Sequence, residues 1–254
     1  MIRTLKSKEI ELMRQSGKIL AGVFDVLQPE IKPGVSTKHL DKIAHQYIIA
    51  SGAKPSCLHY CGFPASICTS IDDVIVHGIP REDDILKEGQ IIGVDVCVCY
   101  KGFHTDAART FAVGKISETK QKLIDVTRQS FYEGIRGLKA GARVGDIGSR
   151  VQTYAEKFGF SVVRELVGHG VGHSLHEDPS IPNYGTAGLG AKLPANATVA
   201  IEPMINAGKK DVVFNGMWDV RTRDGEPSAH YENTVLITED GVEVLTSRED
   251  CNVK

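Results

Sequence analysis

The 254-residue sequence has no apolar run near the ~18–20 residues that a membrane-spanning helix requires. Its most apolar stretch, Ile91–Tyr100, is interrupted by Asp95. Nor does a basic segment followed by an apolar core open the chain, because Lys6 and Lys8 restore charge at once; a secretion signal is not expected. Charge of neither sign dominates: 30 Lys and Arg against 32 Asp and Glu leave a formal net charge of −2. That balance argues against a general nucleic-acid or membrane-surface binder. Tryptophan occurs once, as Trp218 in the polar loop 216–219, an unusual place for a core residue. Cysteine is sparse and irregular, at 57, 61, 68, 97, 99 and 251, which is not the even framework of a disulfide-stapled secreted domain. Reduced thiols and a cytoplasmic location are expected. No Ser/Gly-rich or charge-run linker divides the chain, so residues 1–254 are read as one domain. At 41% hydrophobic and 24% charged residues, it has the composition of a folded globular chain.

Apolar residues at helical spacing (Ile10, Met13, Leu20, Phe24, Leu27) predict an opening helix with Ser7 as N-cap, stopped by Pro29 and Pro33-Gly34. A second helix is expected from Ser36 or Thr37 to near Gly52. Strands are expected at 91–99 and 103–113, helices at 123–138 and 147–158, and further strands at 161–167, 198–204 and 231–238. Segment 33–53 aligns without a gap on 140–160, an offset of 140 − 33 = 107. Gly34 then meets Gly141, Leu40 meets Ile147, Tyr47 meets Tyr154 and Gly52 meets Gly159. A duplicated helix–helix–strand unit predicts an α+β fold, with two similar halves sharing one curved antiparallel sheet and helices on its outer face.

The richest stretch runs from Val94 to Asp106. A tight turn at Tyr100-Lys101 would set Asp95 directly opposite Asp106, with Cβ atoms ~4.5–5.5 Å apart. Two like charges at ~4 Å repel by about 4 kcal/mol at an effective dielectric near 20, so the pair needs a proton, a basic partner or a metal ion. Val94, Val96 and Val98 take one strand face, leaving Asp95 with Cys97 and Cys99 on the other. Downstream come His169 in Gly168-His169-Gly170, Glu202 in Ile201-Glu202-Pro203, and Glu232 in Tyr231-Glu232-Asn233. Both glutamates interrupt apolar runs, where an unpaired charge is costly. Four carboxylates and one imidazole suit hard or borderline divalent ions, and carboxylates able to bridge suit a pair of ions ~3.5–4 Å apart.

These stretches, with Gly102-Phe103-His104-Thr105-Asp106 and His176-Glu177-Asp178-Pro179, closely resemble methionine aminopeptidases of type I, which are pita-bread-fold metallopeptidases of the M24 kind. The resemblance covers essentially the whole chain. It implies removal of the initiator methionine from peptides and nascent chains whose second residue is small. Asp95 would chelate one of two divalent ions (Mn, Fe, Co or Zn), Asp106 and Glu232 would bridge them, and His169 and Glu202 would complete the second. A water held between the ions would be the nucleophile and Glu202 the general base. His176 would stabilise the developing oxyanion, and His77 would contact the substrate near the scissile amide. By position, the methionine pocket falls on Cys57, Tyr60, Phe63, Cys68, His77, Leu175 and Trp218, with His176 beside it. Sulfur and aromatic edges suit a thioether, and Leu175 stands where many members have Phe. His39, His45, His59, His104, His173 and His230 are read as ordinary core or surface residues.

The resemblance further implies a monomer acting on free α-amino termini, with transient contact to the ribosome and no nucleic-acid specificity. No N-terminal extension is expected, and no type II insertion between Glu202 and Glu232. Two other readings are a proline-directed peptidase of the same fold and a non-catalytic pita-bread binding module. Relatives of the first kind generally carry a preceding domain, and those of the second lose metal ligands. A zinc clip on Cys57, His59, Cys61 and Cys68 lacks the required Cys-x2-Cys pair, and Gly168-x-Gly170-x-Gly172 lacks phosphate-loop spacing.

Overall fold

A computed structural model describes residues 2–247, together with the backbone of a last short strand, β16, at Asn252–Val253. Cys251 lies outside the described residues. The first half runs through α1 (Ser7–Leu27), α2 (Thr37–Ala50), β1 (Lys54–Pro55), β2 (Ile67–Ile71), β3 (Val74–Val76), β4 (Ile91–Tyr100) and β5 (Phe103–Ala112). The second comprises α3 (Glu118–Ile135), α4 (Val144–Lys157), β6 (Ser161–Val162), β7 (Gly168–Gly170), β8 (Glu177–Ile181) and β9 (Thr198–Ile201). It continues through β10 (Met204–Asn206), β11 (Val212–Asn215), β12 (Asp219–Thr222), β13 (Ser228–His230), β14 (Asn233–Ile237) and β15 (Val242–Val244).

The internal repeat is physical. Helices α2 and α4 each have 14 residues and sit at the predicted offset end to end. Gly34 and Gly141 enter them with φ of 89° and 92°, and Gly52 and Gly159 leave them with φ of 71° and 82°. These left-handed positions suit glycine because a Cβ would clash with its own backbone. Leu40 and Ile147, matched in the alignment, are both fully buried.

Every strand pairing is antiparallel. In one sheet β4 pairs with β5 on one edge and with β1 and β2 on the other; a second sheet has the order β16-β15-β14-β9-β7-β8. The two meet where Ala108 and Glu232 exchange backbone hydrogen bonds (N···O 3.0 and 3.4 Å), so β5 continues into the second half. Helix α1 packs on β4 and β5, and α3 on α4. Leu20, Val23, Leu27, Leu40 and Ile48 cover Val94, Val96 and Val98 in the first half. Phe131, Ile135, Ile147 and Val151 cover Val199, Ile201, Val235 and Ile237 in the second. With the valines committed to the helices, the Asp95 and Cys97 side chains must point to the opposite face. No helix among the described residues is long and apolar enough to cross a membrane.

Several boundaries differ from the sequence reading. Lys6, not Ser7, is the N-cap of α1, with its N–H donating to Glu9 at 2.7 Å. The strand expected at 161–167 shrinks to two residues, that at 231–238 to Asn233–Ile237, and that at 198–204 divides around Glu202-Pro203. Pro203 has no N–H for a ladder, and the break frees Glu202 from the sheet.

The β4–β5 register is a larger correction. The hairpin turns at Lys101-Gly102, with φ of 49° and 87°, as a two-residue turn with two left-handed positions requires. Cys97 therefore faces Asp106, and Asp95 faces Ala108. The two aspartates are diagonal neighbours on one face rather than direct partners.

Candidate metal centre

The sheet layer gathers all five predicted ligands onto one face. Asp95 comes from β4, Asp106 from β5, His169 from the middle of β7, Glu202 from the break after β9, and Glu232 from the residue before β14. The small Ala108 side chain lies between Asp95, its partner across β4–β5, and Glu232, its partner across the joint. That spacing brings the two carboxylates together. Glycines on both sides of His169 let β7 fit between its neighbours: a Cβ at Gly168 would stand 2.3 Å from the Ala200 carbonyl oxygen.

His169 Nε2 lies 3.6 Å from Glu202 Oε1 and 3.8 Å from Asp106 Oδ2. Its Nδ1 is 2.9 Å from the Gly170 carbonyl oxygen. A carbonyl only accepts, so Nδ1 carries the proton and Nε2 presents a lone pair to the carboxylates. Lone pair facing carboxylate is repulsive unless a cation lies between.

The electrostatics point the same way. Burial, reinforced by the Asp106 charge, pushes Asp95, Glu202 and Glu232 well above the ordinary carboxylate range. Burial raises Asp106 to about 7 and depresses His169 to about 4. Asp95 Oδ1 and Glu232 Oε1 are buried without a hydrogen-bond partner. Buried acceptors are normally satisfied, and a group of buried carboxylates facing a neutral imidazole lone pair is the donor set that a divalent cation neutralises. The residues present fit such an ion.

Three residues that the sequence reading did not place at the centre belong to it. His230, taken there for an ordinary histidine, is 4% exposed. Its Nε2 is 3.8 Å from Glu232 Oε2 and 3.9 Å from Glu202 Oε2, with no hydrogen-bond partner. The available signal was its position two residues before Glu232, a same-face spacing in extended chain. Cys97, facing Asp106 after the register correction, donates its thiol hydrogen to Asp106 Oδ1 at 3.1 Å. Arg109 supports the centre from behind. Its guanidinium donates to the carbonyl oxygens of Ala108 and Glu232 and to Asn233 Oδ1 (2.8, 2.5 and 2.6 Å), and lies over the Phe24 and Tyr231 rings.

A cavity of about 310 Å³ opens from the carboxylates. All the residues predicted for the methionine pocket line it: Cys57, Tyr60, Phe63, Cys68, His77, Leu175 and Trp218. Phe63 and Trp218 meet edge to face at 5.1 Å, and Cys57 Sγ is 2.9 Å from Cys97 Sγ. Hydrogen bonding within the Cys57, Cys68 and Cys97 cluster holds the Cys57 thiol well below its ordinary pKa. The five described cysteines carry free thiols. His176 also lines the cavity, with its ring 4.2 Å from that of His169 and Nδ1 2.8 Å from the Tyr60 hydroxyl. His77 holds left-handed backbone at φ 61°, a strained state for a non-glycine residue.

Residues 11–239 match metallopeptidase family M24. A methionine aminopeptidase of Clostridium perfringens is 48% identical over 247 residues, 97% of this chain and 99% of that protein. One from Escherichia coli strain K12 is 42% identical over 96% of this chain and 93% of its own length. The crystal structure of methionine aminopeptidase from Rickettsia prowazekii superposes with a TM-score of 0.95 at 42% identity, covering 97% of this chain and 100% of that one. An Xaa-Pro dipeptidase from Bacillus anthracis shares the fold at a TM-score of 0.78 and 21% identity; this chain covers 63% of its length.

Proposed function

Because this chain belongs to metallopeptidase family M24, we propose that it is a metal-dependent methionine aminopeptidase, which hydrolyses the first peptide bond of chains beginning with Met and a small second residue. The observation that carries this reading is the junction of two environments. A buried carboxylate–imidazole cluster with orphaned oxygens opens directly into a cavity walled by thiols and aromatic rings. Asp95, Asp106, His169, Glu202 and Glu232 would hold two divalent ions. When bound, such ions supply Lewis acidity and make water a nucleophile near neutral pH.

The chain's own groups do the rest. Glu202 leaves the sheet at Pro203, and burial strengthens its carboxylate as a base. It takes the proton of the attacking water and delivers it to the departing amine. With the Tyr60 hydroxyl, 2.8 Å away, donating to His176 Nδ1, the proton would stand on Nε2 to hydrogen-bond the carbonyl oxygen as charge develops there. His77, on the cavity wall, contacts the substrate near the scissile amide. Cys57, Cys68, Phe63, Leu175 and Trp218 receive the thioether, whose polarizable sulfur favours aromatic edges. Residues 1–254 work as one catalytic unit, a monomer in the cytoplasm, on free peptide N-termini and, in transient contact with the ribosome, on nascent chains.

The test is hydrolysis of Met-Ala-Ser and of Leu-Pro peptides by purified protein supplied with Mn²⁺, Fe²⁺ or Co²⁺. Release of methionine, lost in Asp106→Ala, is expected. Preference for the X-Pro bond, or full activity of the Ala variant, would overturn the reading.

A further inference from the structure

Two triads share Glu232. In one, single ligand atoms from Asp106, His169 and Glu232 lie within 4.8 Å of one another; in the other, atoms from Asp95, His230 and Glu232 do the same. Each contains two carboxylates and one imidazole. We propose that His230 is a metal ligand in its own right, so that both ion positions carry a nitrogen donor. The inference rests on the metallopeptidase reading and adds a donor to the set given above.

Three observations support it. The His230 ring is buried, and Nε2 has no hydrogen-bond partner although two carboxylate oxygens stand 3.8 and 3.9 Å away. Those separations are too long for a hydrogen bond, yet they suit ligands meeting through an ion at ~2.0–2.2 Å from each. The backbone, moreover, does not let the ring drift. His230 N–H donates to Thr110 Oγ1, and Thr110 O–H donates back to the His230 carbonyl, both at 2.9 Å. Pairing of His230 with Met204 holds the other edge. The other two members of the triad also carry unsatisfied atoms: Asp95 Oδ1 and Glu232 Oε1 are buried without a hydrogen-bond partner. A nitrogen at the Asp95 position moves that site from an all-oxygen set toward one favouring Fe, Co or Zn over Mn.

The experiment loads the full-length protein with Co²⁺, using titration calorimetry for affinity and X-ray absorption to count imidazoles. Wild-type protein should bind two equivalents and show on average one imidazole per cobalt. In His230→Ala the average should fall to one imidazole per two cobalts, and one binding step should weaken by at least ~10–100-fold. His230→Gln, which keeps volume and polarity, should lose the same imidazole and guards against misfolding of the Ala variant. His169→Ala should remove the other imidazole and weaken the other step. One imidazole per cobalt pair in the wild type, or a count unchanged by both His230 variants, would overturn the assignment. Wild-type protein that takes up no cobalt would overturn the metallopeptidase reading together with it.

Discussion

Replacing Asp106 by asparagine should abolish activity and yet stabilise the metal-free protein. The Asp106 carboxyl is buried and its pKa is raised from 3.8 to about 7. At about 1.4 kcal/mol per pH unit, ionising it in the folded chain costs about 4 kcal/mol more than in the unfolded one. For an acid with a raised pKa, the folded state keeps a proton that the unfolded state has released. The cost is therefore absent below about pH 4, grows between pH 4 and 7, and is complete above about pH 7. Asparagine carries no charge and retains Oδ1 as acceptor for the Cys97 thiol. The gain should be about 2–4 kcal/mol at pH 8, allowing for relaxation of the neighbouring carboxylates, and should vanish toward pH 4. For a chain of this size that is a Tm increase of about 4–16 °C. Calorimetric melting of chelator-dialysed wild type and Asp106→Asn at pH 5, 6.5 and 8 measures it. Added Mn²⁺ should reverse the order, because an ion at 1,000 times its Kd adds about 4.1 kcal/mol to the protein that binds it. A metal-free variant no more stable than wild type at pH 8, or a gain that does not shrink with acid, would refute the reasoning.

Other outcomes follow from single contacts. His176→Gln should lower kcat by about 10²–10³-fold, with Tyr60→Phe showing a smaller loss of the same kind; steady-state kinetics on Met-Ala-Ser separates kcat from KM. Cys97→Ala should weaken Mn²⁺ binding by about 10–100-fold through loss of its hydrogen bond to Asp106, and Cys97→Ser should restore most of it in the same titration. Arg109→Lys keeps the charge but cannot span the Ala108, Glu232 and Asn233 acceptors. Urea unfolding should register a loss of about 2–4 kcal/mol.

The helices and the repeat were legible because they rest on local rules. Apolar spacing marks the buried face of α1, and the glycines at both ends of α2 and α4 mark left-handed turns wherever they occur. Pro203 divided an expected strand for an equally local reason, and only its consequence, a Glu202 freed from the sheet, needed the fold to be seen. The β4–β5 register was misread because a hairpin turn can move by one residue without changing which residues are apolar. Lys101 in a left-handed turn gives a weak signal. His230 was overlooked because a histidine two residues from a glutamate is common in any sequence; its unpaired Nε2 exists only once β13 is pinned to Thr110.

Which side chains are able to hold a cation, and that two repeated units pack their valines and leucines under helices, can be told from the amino-acid order. Residue type and periodicity encode both. Which of those side chains meet is set by the folded chain. Convergence of β4, β5, β7, β9 and β14 depends on backbone pairings between distant positions, His169 with Ala200, Asn233 with Ile201 and, 232 − 108 = 124 positions apart, Ala108 with Glu232. The low dielectric that moves the carboxylates and imidazoles from their ordinary pKa values arises from the surrounding packed chain, which no short stretch of sequence contains.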